Sequence, residues 1–446
     1  MTERTFRYAM RRGLGRCVAE LRTCPDPEKY RRAVLWGCLH NLSFDTQCEG
    51  TRARYVYALV RCFPDPESFA GPTVESFRTL SGRDTWLFCH FTDLLVCFAA
   101  DGSPAALDAL RSRYDELYDR LLHRRSSPYY DYLRDDFEHL LIARFISLSD
   151  GRQPLKEAAA ELGHLFRTNK RYTYWDFEWF LTLLREKYGK KRMAKLAEHP
   201  ADEDEAAFAA AYREMEAALE EFHKPIVPPV PPTSGELSQK AEAGELTVSD
   251  CVRFRRRADE DEKRALAASI EATGDPEKRA GLLRTFIGDA YPGDPALLTS
   301  WAESPCEELR EAALAVMQDL SDPVVYVWAK ARFDAGQADS GIICILLKNY
   351  RSADKERLLA AVRALSVTYD ERSGWHGVVM QIKDRSVRLP DEFYLWVYES
   401  SLCSCCREDA VRVLGRRGRL TPALLEECLH DSNDEIAAYA ARRLRR

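Results

Sequence analysis

The sequence has 446 residues, which at about 100–200 residues per domain predicts two to four domains with a substantial buried core. Its 71 acidic residues outnumber its 65 lysines and arginines, and the net charge of −6 excludes a uniformly basic nucleic-acid-binding chain. A composition of 46% hydrophobic and 30% charged residues is typical of a folded protein and argues against a disordered or collagen-like chain.

The beginning of the chain and the cysteines indicate a cytoplasmic protein. Residues 1–22 carry six arginines but lack the apolar segment of a secretory signal. The 14 cysteines are scattered along the chain and are too sparse for a disulfide scaffold. Because most lie among apolar residues, we interpret them as small buried hydrophobes in a reducing compartment.

The longest apolar run, Trp86 to Ala100, is shorter than the roughly 20 residues that cross a bilayer. It also contains His90 and Asp93. The run therefore predicts a buried helix and no association with a membrane.

Helix-start signals recur along the chain. An Asp, Thr or Ser followed by Pro places a side-chain acceptor at the N-cap and a preset φ at the first helical position. These pairs are Asp26-Pro27, Asp65-Pro66, Asp275-Pro276, Asp294-Pro295, Ser304-Pro305, Asp322-Pro323 and Thr421-Pro422. Ser304 with Glu307, and Ser432 with Glu435, also fit the capping box. Since sustained period-2 alternation is hard to find, the sequence predicts an all-α fold.

A proline-rich segment separates two helical halves. It contains Pro225, Pro228, Pro229, Pro231 and Pro232, followed by a Ser/Gly/Glu-rich stretch. Proline at this density favours an extended spacer, so we predict an N-terminal domain at 1–222, a linker at 223–246 and a C-terminal domain at 247–446. The P-x-x-P spacing also fits a ligand of an aromatic groove.

Three segments in the C-terminal half follow, wholly or in part, a pattern of acidic and aliphatic residues with Arg and Ala. They are Glu307 to Leu314 (EELREAAL), Arg407 to Leu414 (REDAVRVL) and Asp431 to Ala440 (DSNDEIAAYA). In this pattern the C-terminal half resembles HEAT-repeat proteins, whose unit is a pair of antiparallel helices. The last segment departs from the family by having Ala437 where Arg is usual.

The resemblance implies an armadillo-type α-solenoid, in which stacked helix pairs make a continuous core and a concave surface. It also implies a non-catalytic scaffold that binds another protein or a peptide, with Arg310 and Arg412 among the contacting residues. No phosphate-binding loop, dinucleotide fingerprint, nucleophile elbow or HExxH motif occurs in the sequence. We therefore expect no nucleotide cofactor, no other cofactor and no catalytic residues.

Two patterns leave a metal site open as an alternative. A carboxylate precedes His by three residues at Asp136/His139, Glu161/His164, Glu220/His223 and Glu427/His430, as in di-iron helices. Cys403, Cys405 and Cys406 crowd together, with Cys428 and His430 further on, as in a zinc set. We interpret the first group as surface pairs and the second as free thiols, and we keep a redox pair of Cys403 and Cys406 as a further alternative.

The segment from Tyr172 to Phe180 is rich in aromatic residues, which usually belong to a core. Trp175, Asp176 and Trp179 nevertheless match the residue types with which the HEAT-like alkylpurine DNA glycosylases hold a damaged nucleotide. Arg412 and Arg416 belong to a basic cluster that fits either a solvated face or a phosphate track. DNA binding or base excision is therefore our alternative function.

Overall fold

The computed structural model describes residues 1–80, 84–124, 132–149, 151, 153–222, 230–369, 374–384 and 386–445. All regular structure in these ranges is helical, and no strand occurs among them. Helices take up 75% of the described residues. The prediction of an all-α fold is confirmed.

The chain forms two compact units, one of residues 1–226 with 421–446 and one of residues 227–420. The first unit begins with α1 Glu3–Arg12, α2 Arg16–Thr23, α3 Arg31–Cys38, α4 Thr46–Glu49, α5 Ala53–Val60, α6 Ala70–Thr79, α7 Thr85–Ala100, α8 Pro104–His123, α9 Tyr132–Leu141, α10 Gln153–Thr168, α11 Glu178–Tyr188, α12 Lys190–Glu198 and α13 Glu203–Phe222. The second unit contains α14 Ser234–Ala243, α15 Val248–Arg257, α16 Glu260–Ala272, α17 Pro276–Leu283, α18 Pro295–Trp301, α19 Glu307–Met317, α20 Pro323–Asp334, α21 Ser340–Lys348, α22 Lys355–Ala364, α23 Trp375–Lys383, α24 Asp391–Ser400 and α25 Ser404–Arg416. The chain then returns to the first unit with α26 Pro422–Cys428 and α27 Asp434–Leu444.

Short helical turns join some of these helices. A π-helical turn at Ile142–Ser147 follows α9 directly. The 3₁₀ turns are Pro27–Tyr30, Pro66–Phe69, Tyr174–Phe177, Arg284–Phe286 and Ser352–Asp354.

The predicted buried helix is α7, which lies at the centre of the first unit and packs against α5, α6, α8 and α9. Phe88, Leu94 and Leu95 on this helix are almost fully buried. Its two ends reach the surface, where Trp86 and Ala100 are exposed. The buried-helix interpretation of the apolar run is confirmed.

The C-terminal helices α26 and α27 pack with the first unit, which differs from the continuous domain predicted at 247–446. Ser432 donates its backbone N–H to the Gly13 carbonyl at 2.8 Å, and the Arg16 guanidinium pairs with Glu427 at 2.8 Å. The close contact between the start of α2 and the end of α26 depends on Gly15, because a Cβ there would lie 1.9 Å from the Glu427 carbonyl oxygen. These contacts join segments about four hundred residues apart in the chain, a pairing that local sequence patterns do not encode.

The predicted linker at 223–246 is partly folded. Residues 223–229 lie outside the described residues, but α14 occupies much of the remainder. Thr233 and Glu236 form a capping box at its start, and Leu237 is fully buried. The serine- and glutamate-rich stretch thus belongs to the second unit, because it carries a helix cap and an apolar anchor that composition alone does not reveal.

Helices of the second unit contact their second neighbours in the chain. One row consists of α17, α19, α21, α23 and α25, each packed against the next. Beside this row, α18 packs against α20 and α22 against α24. Most helices of the row also contact the helix that precedes or follows them in sequence. Each helix pair therefore packs its apolar side chains against the next pair.

The capping predictions are confirmed at four positions. Asp275, Asp294, Asp322 and Thr421 each accept backbone N–H groups at the start of a helix. Four other predictions were wrong. Asp26 and Asp65 precede 3₁₀ turns and form no side-chain cap, and the caps of α19 and α27 are Cys306 and Asn433 in place of Ser304 and Ser432.

Candidate functional site

The two predicted site tryptophans are exposed on the first unit. Trp175 lies in the 3₁₀ turn Tyr174–Phe177 and is 63% exposed, and Trp179 lies in the first turn of α11 and is 48% exposed. Their neighbours Phe177 and Phe180 are fully buried. Tyr172 and Tyr174 are buried as well, so the expectation that aromatic residues here belong to the core fails only at the two tryptophans.

Helix α9 supports this surface from one side. The His139 imidazole makes an edge contact with the Trp179 ring, with 5.0 Å between ring centroids. Glu138 accepts the Phe180 backbone N–H through Oε1 at 2.9 Å. Burial raises the pKa of the Glu138 carboxyl to about 7. The start of α11 is thus fixed against α9, and Trp179 has a defined orientation.

The third predicted site residue, Asp176, is engaged by its own chain. One carboxylate oxygen accepts the Thr173 backbone N–H at 2.8 Å and the Thr173 hydroxyl at 3.2 Å. The other oxygen pairs with the Arg134 guanidinium at 3.1 Å. Asp176 therefore completes a capping box and an ion pair, which fix the turn that presents Trp175.

A buried polar layer lies between α7 and α9, below Trp179. Burial raises the pKa of Asp93 and lowers that of His139, which interact electrostatically, and both shifts favour the neutral forms. The Thr51 hydroxyl donates to Asp93. Asp136 is 2% exposed, and burial raises its pKa to about 7. The sequence analysis did not assign this layer to the site. The Asp136/His139 spacing was the available signal, and its interpretation as a surface pair was wrong.

The residues of the other carboxylate and histidine pairs, where the structure describes them, contact different partners. Glu161 accepts from Tyr114 and pairs with Arg144, whereas His164 lies 3.3 Å from Asp204. Glu427 pairs with Arg16. His223, the partner predicted for Glu220, lies outside the described residues. Glu161, His164 and Glu427 thus lie in separate local networks.

The predicted arginines lie in the row of helices in the second unit. Arg310 is on α19 and donates to the Ser304 carbonyl at 3.1 Å. Arg412 is on α25 and donates to Glu408 at 2.7 Å, one helical turn earlier. Arg416 is exposed at the end of α25. The structure places these arginines in a different unit from Trp175 and Trp179.

The predicted cysteine set is divided as well. Cys428 and His430 belong to the first unit, and Cys403, Cys405 and Cys406 to the second. Within the second unit, the ligand atoms of Cys403, Cys406 and His376 lie within 4.8 Å of one another. The sequence analysis missed His376, because it lies on α23 and no local spacing connects it with the cysteines.

Among the helices in the described ranges, none is both long and apolar enough to cross a membrane. No protein-family model matches the sequence, and no curated protein matches it either.

Proposed function

We propose that the protein is a non-catalytic scaffold that binds another protein or a peptide, and that Trp175 and Trp179 are its main contact residues. The observation that carries the proposal is their exposure, at 63% and 48%. Tryptophan is enriched among the residues that dominate binding energy at protein interfaces. Two exposed tryptophans four positions apart, on segments fixed by capping and ring contacts, fit such a preformed contact.

The surroundings of the tryptophans suit a protein partner. Tyr132, at the first position of α9, is 44% exposed. Arg134 and Asp176 supply paired charges next to Trp175. An apolar centre with a charged border is the usual composition of a protein interface.

A HEAT-like solenoid in the second unit is part of the proposal. Its support is the contact of alternate helices from α17 to α25, which is the packing that stacked helix pairs require. Arg310 and Arg412 lie on two helices of this row, six helices apart in the chain. In a solenoid such a row lines one continuous surface, so both arginines are candidates for contact with acidic groups of a partner.

Base excision has less support. Both carboxylate oxygens of Asp176 already accept hydrogen bonds or ion pairs, whereas a general base needs an oxygen directed at its substrate. DNA binding without excision remains the alternative, and it requires an affinity that falls steeply with salt.

A photo-reactive amino acid at position 179 tests the proposal in an extract of the source organism. Position 8 is the matched control, because Tyr8 is 46% exposed on the same unit. We expect a specific cross-linked protein from position 179 and not from position 8. With that partner purified, Trp179→Ala should weaken binding about 30-fold, the equivalent of roughly 2 kcal/mol at an interface hot spot.

Equal cross-linking from both positions would contradict the proposal. Labelled duplex DNA is titrated in parallel at low salt. If DNA binds, is lost in Trp179→Ala and weakens steeply with salt, the alternative function replaces the scaffold.

A further inference from the structure

We infer that His376, Cys403 and Cys406 form a binding site for a zinc-class divalent cation in the second unit. The site is independent of the proposed partner surface, which lies on the first unit. One imidazole and two thiols are ligands that Zn²⁺ prefers, and the three ligand atoms lie within 4.8 Å of one another.

The spacing of the ligand atoms fits one tetrahedral ion. The Nε2 atom of His376 lies 3.5 Å from Sγ of Cys406. With a Zn–S bond of about 2.3 Å and a Zn–N bond of about 2.0–2.1 Å, tetrahedral geometry places these two atoms roughly 3.5–3.6 Å apart. A thiol-to-imidazole hydrogen bond between Cys406 and His376 gives a similar distance, and metal uptake distinguishes the two.

The two cysteines are held by the start of α25. Cys403 is the N-cap residue, and its Sγ accepts the Cys406 backbone N–H at 3.4 Å. The loop before it is fixed by fully buried Ser401, which donates its hydroxyl to the Cys403 carbonyl and accepts the Cys403 backbone N–H, both at 3.1 Å.

The histidine is positioned by its neighbour in sequence. Trp375 is fully buried, and its indole N–H donates to the Thr368 carbonyl at 2.8 Å. The rings of Trp375 and His376 are in edge contact, with 5.3 Å between centroids. Since α23 packs against α25, the imidazole is brought to the cysteines by the helix packing itself.

A lysine supports the negative charge of the site. Lys383 Nζ lies 3.5 Å from Cys406 Sγ and 2.7 Å from an Asp409 carboxylate oxygen. On binding, the cation replaces the two thiol protons, which are released to solvent, and His376 contributes a neutral lone pair. Two thiolates balance the charge of the ion. Three protein ligands leave the fourth tetrahedral position for water or another small ligand.

A cobalt titration tests the inference. The full-length protein is purified under reducing conditions, stripped with a chelator and titrated with Co²⁺. We expect thiolate-to-cobalt charge-transfer absorption and tetrahedral ligand-field bands that saturate at an equimolar ratio and disappear when Zn²⁺ is added.

Variants locate the site. Because changes of outer-shell residues already cost about 10–100-fold in metal affinity, His376→Asn and Cys406→Ser should each weaken Co²⁺ binding by about 100-fold or more. Cys405→Ser is the matched control, since Cys405 is the adjacent thiol on the same helix and lies outside the three-ligand cluster. It should bind as the unchanged protein does. Lys383→Met should weaken binding about 10–100-fold.

Circular dichroism and thermal melting show whether each variant folds, and His376→Asn provides the result if Cys406→Ser does not fold. Unchanged binding in His376→Asn would overturn the inference. So would a Cys403–Cys406 disulfide in the purified chain together with no Co²⁺ uptake after reduction, which would assign the pair to redox chemistry.

Discussion

His90 is completely buried in the first unit, although it lies within the most apolar run of the sequence. Its Nε2 contacts the Cys38 carbonyl oxygen at 3.2 Å, so this nitrogen carries the proton. Burial lowers the pKa of His90 from an ordinary value of 6.5 to about 4. The folded protein therefore holds a neutral imidazole over a pH range in which the unfolded chain holds a charged one.

This shift predicts a loss of stability in mild acid. Between pH 6.5 and about 4 the unfolded state binds a proton that the folded state does not. The free energy of unfolding therefore decreases as the pH is lowered through this range. At about 1.36 kcal/mol per pKa unit, the cost reaches about 3 kcal/mol near pH 4. His90→Gln should remove this part of the pH dependence. Amide hydrogen exchange of α7 at several pH values measures this pH dependence in the unchanged protein and in His90→Gln. An equal loss of stability in acid for both proteins would contradict the assignment to His90.

At the residue scale, local patterns that act on their own backbone predicted some helix caps correctly, but not those at Asp26 and Asp65. Asp275 and Asp294 cap helices as their Asp-Pro pairs predict. Sequence was not sufficient where function depends on distant residues. His376 and Cys403 meet only through the packing of α23 on α25, and the exposure of Trp175 depends on which face of its turn meets the core.

The packing of α10 on α13 illustrates how one position controls the contact of two elements. Gly163 lies within α10, where a Cβ would be 1.8 Å from the Asp204 carbonyl oxygen at the start of α13. No side chain fits at that distance. The backbones of α10 and α13 are therefore in direct contact at Gly163. Arg167 adds an ion pair with Asp204 at 2.6 Å.

Gly163→Ala should force α10 and α13 apart. Because the clash is with backbone, which cannot rotate away, we expect destabilisation at or above the upper end of overpacking costs, about 3 kcal/mol. Gly71→Ala in α6 is the control, since a Cβ there meets nothing within 4 Å. It should be neutral or stabilising by up to about 1 kcal/mol. Thermal melting compares the two, and equal melting temperatures would refute the role of Gly163.

At the element scale, the helical character of the chain was predictable and the partners of each helix were not. The apolar run that forms α7 was identified from length and composition. In contrast, α14 was assigned to a linker, because it follows the proline-rich segment and its sequence is rich in Ser, Gly and Glu. Helix pairing depends on surface shape, as Gly163 shows, and a single sequence does not record which surfaces match.

For the whole molecule, the contact between the two ends of the chain is the feature with the most direct test. Gly15→Ala places a methyl group against the Glu427 carbonyl, so we expect α26 and α27 to lose protection in hydrogen exchange, together with α1 and α2. Helices α17 to α25 should keep theirs, since they belong to the other unit. Gly281→Ala is the control, because its nearest neighbour would be 3.8 Å away. Unchanged protection of α26 in Gly15→Ala would contradict the expectation.

The arrangement of the units makes residues 227–420 an insertion between two parts of the first unit. During synthesis the inserted unit is complete as soon as its own contiguous segment has left the ribosome. The first unit must instead wait for residues 421–446, which are made after the inserted unit. We therefore expect its helices before residue 227 to need chaperone protection during translation for longer than the helices of the inserted unit.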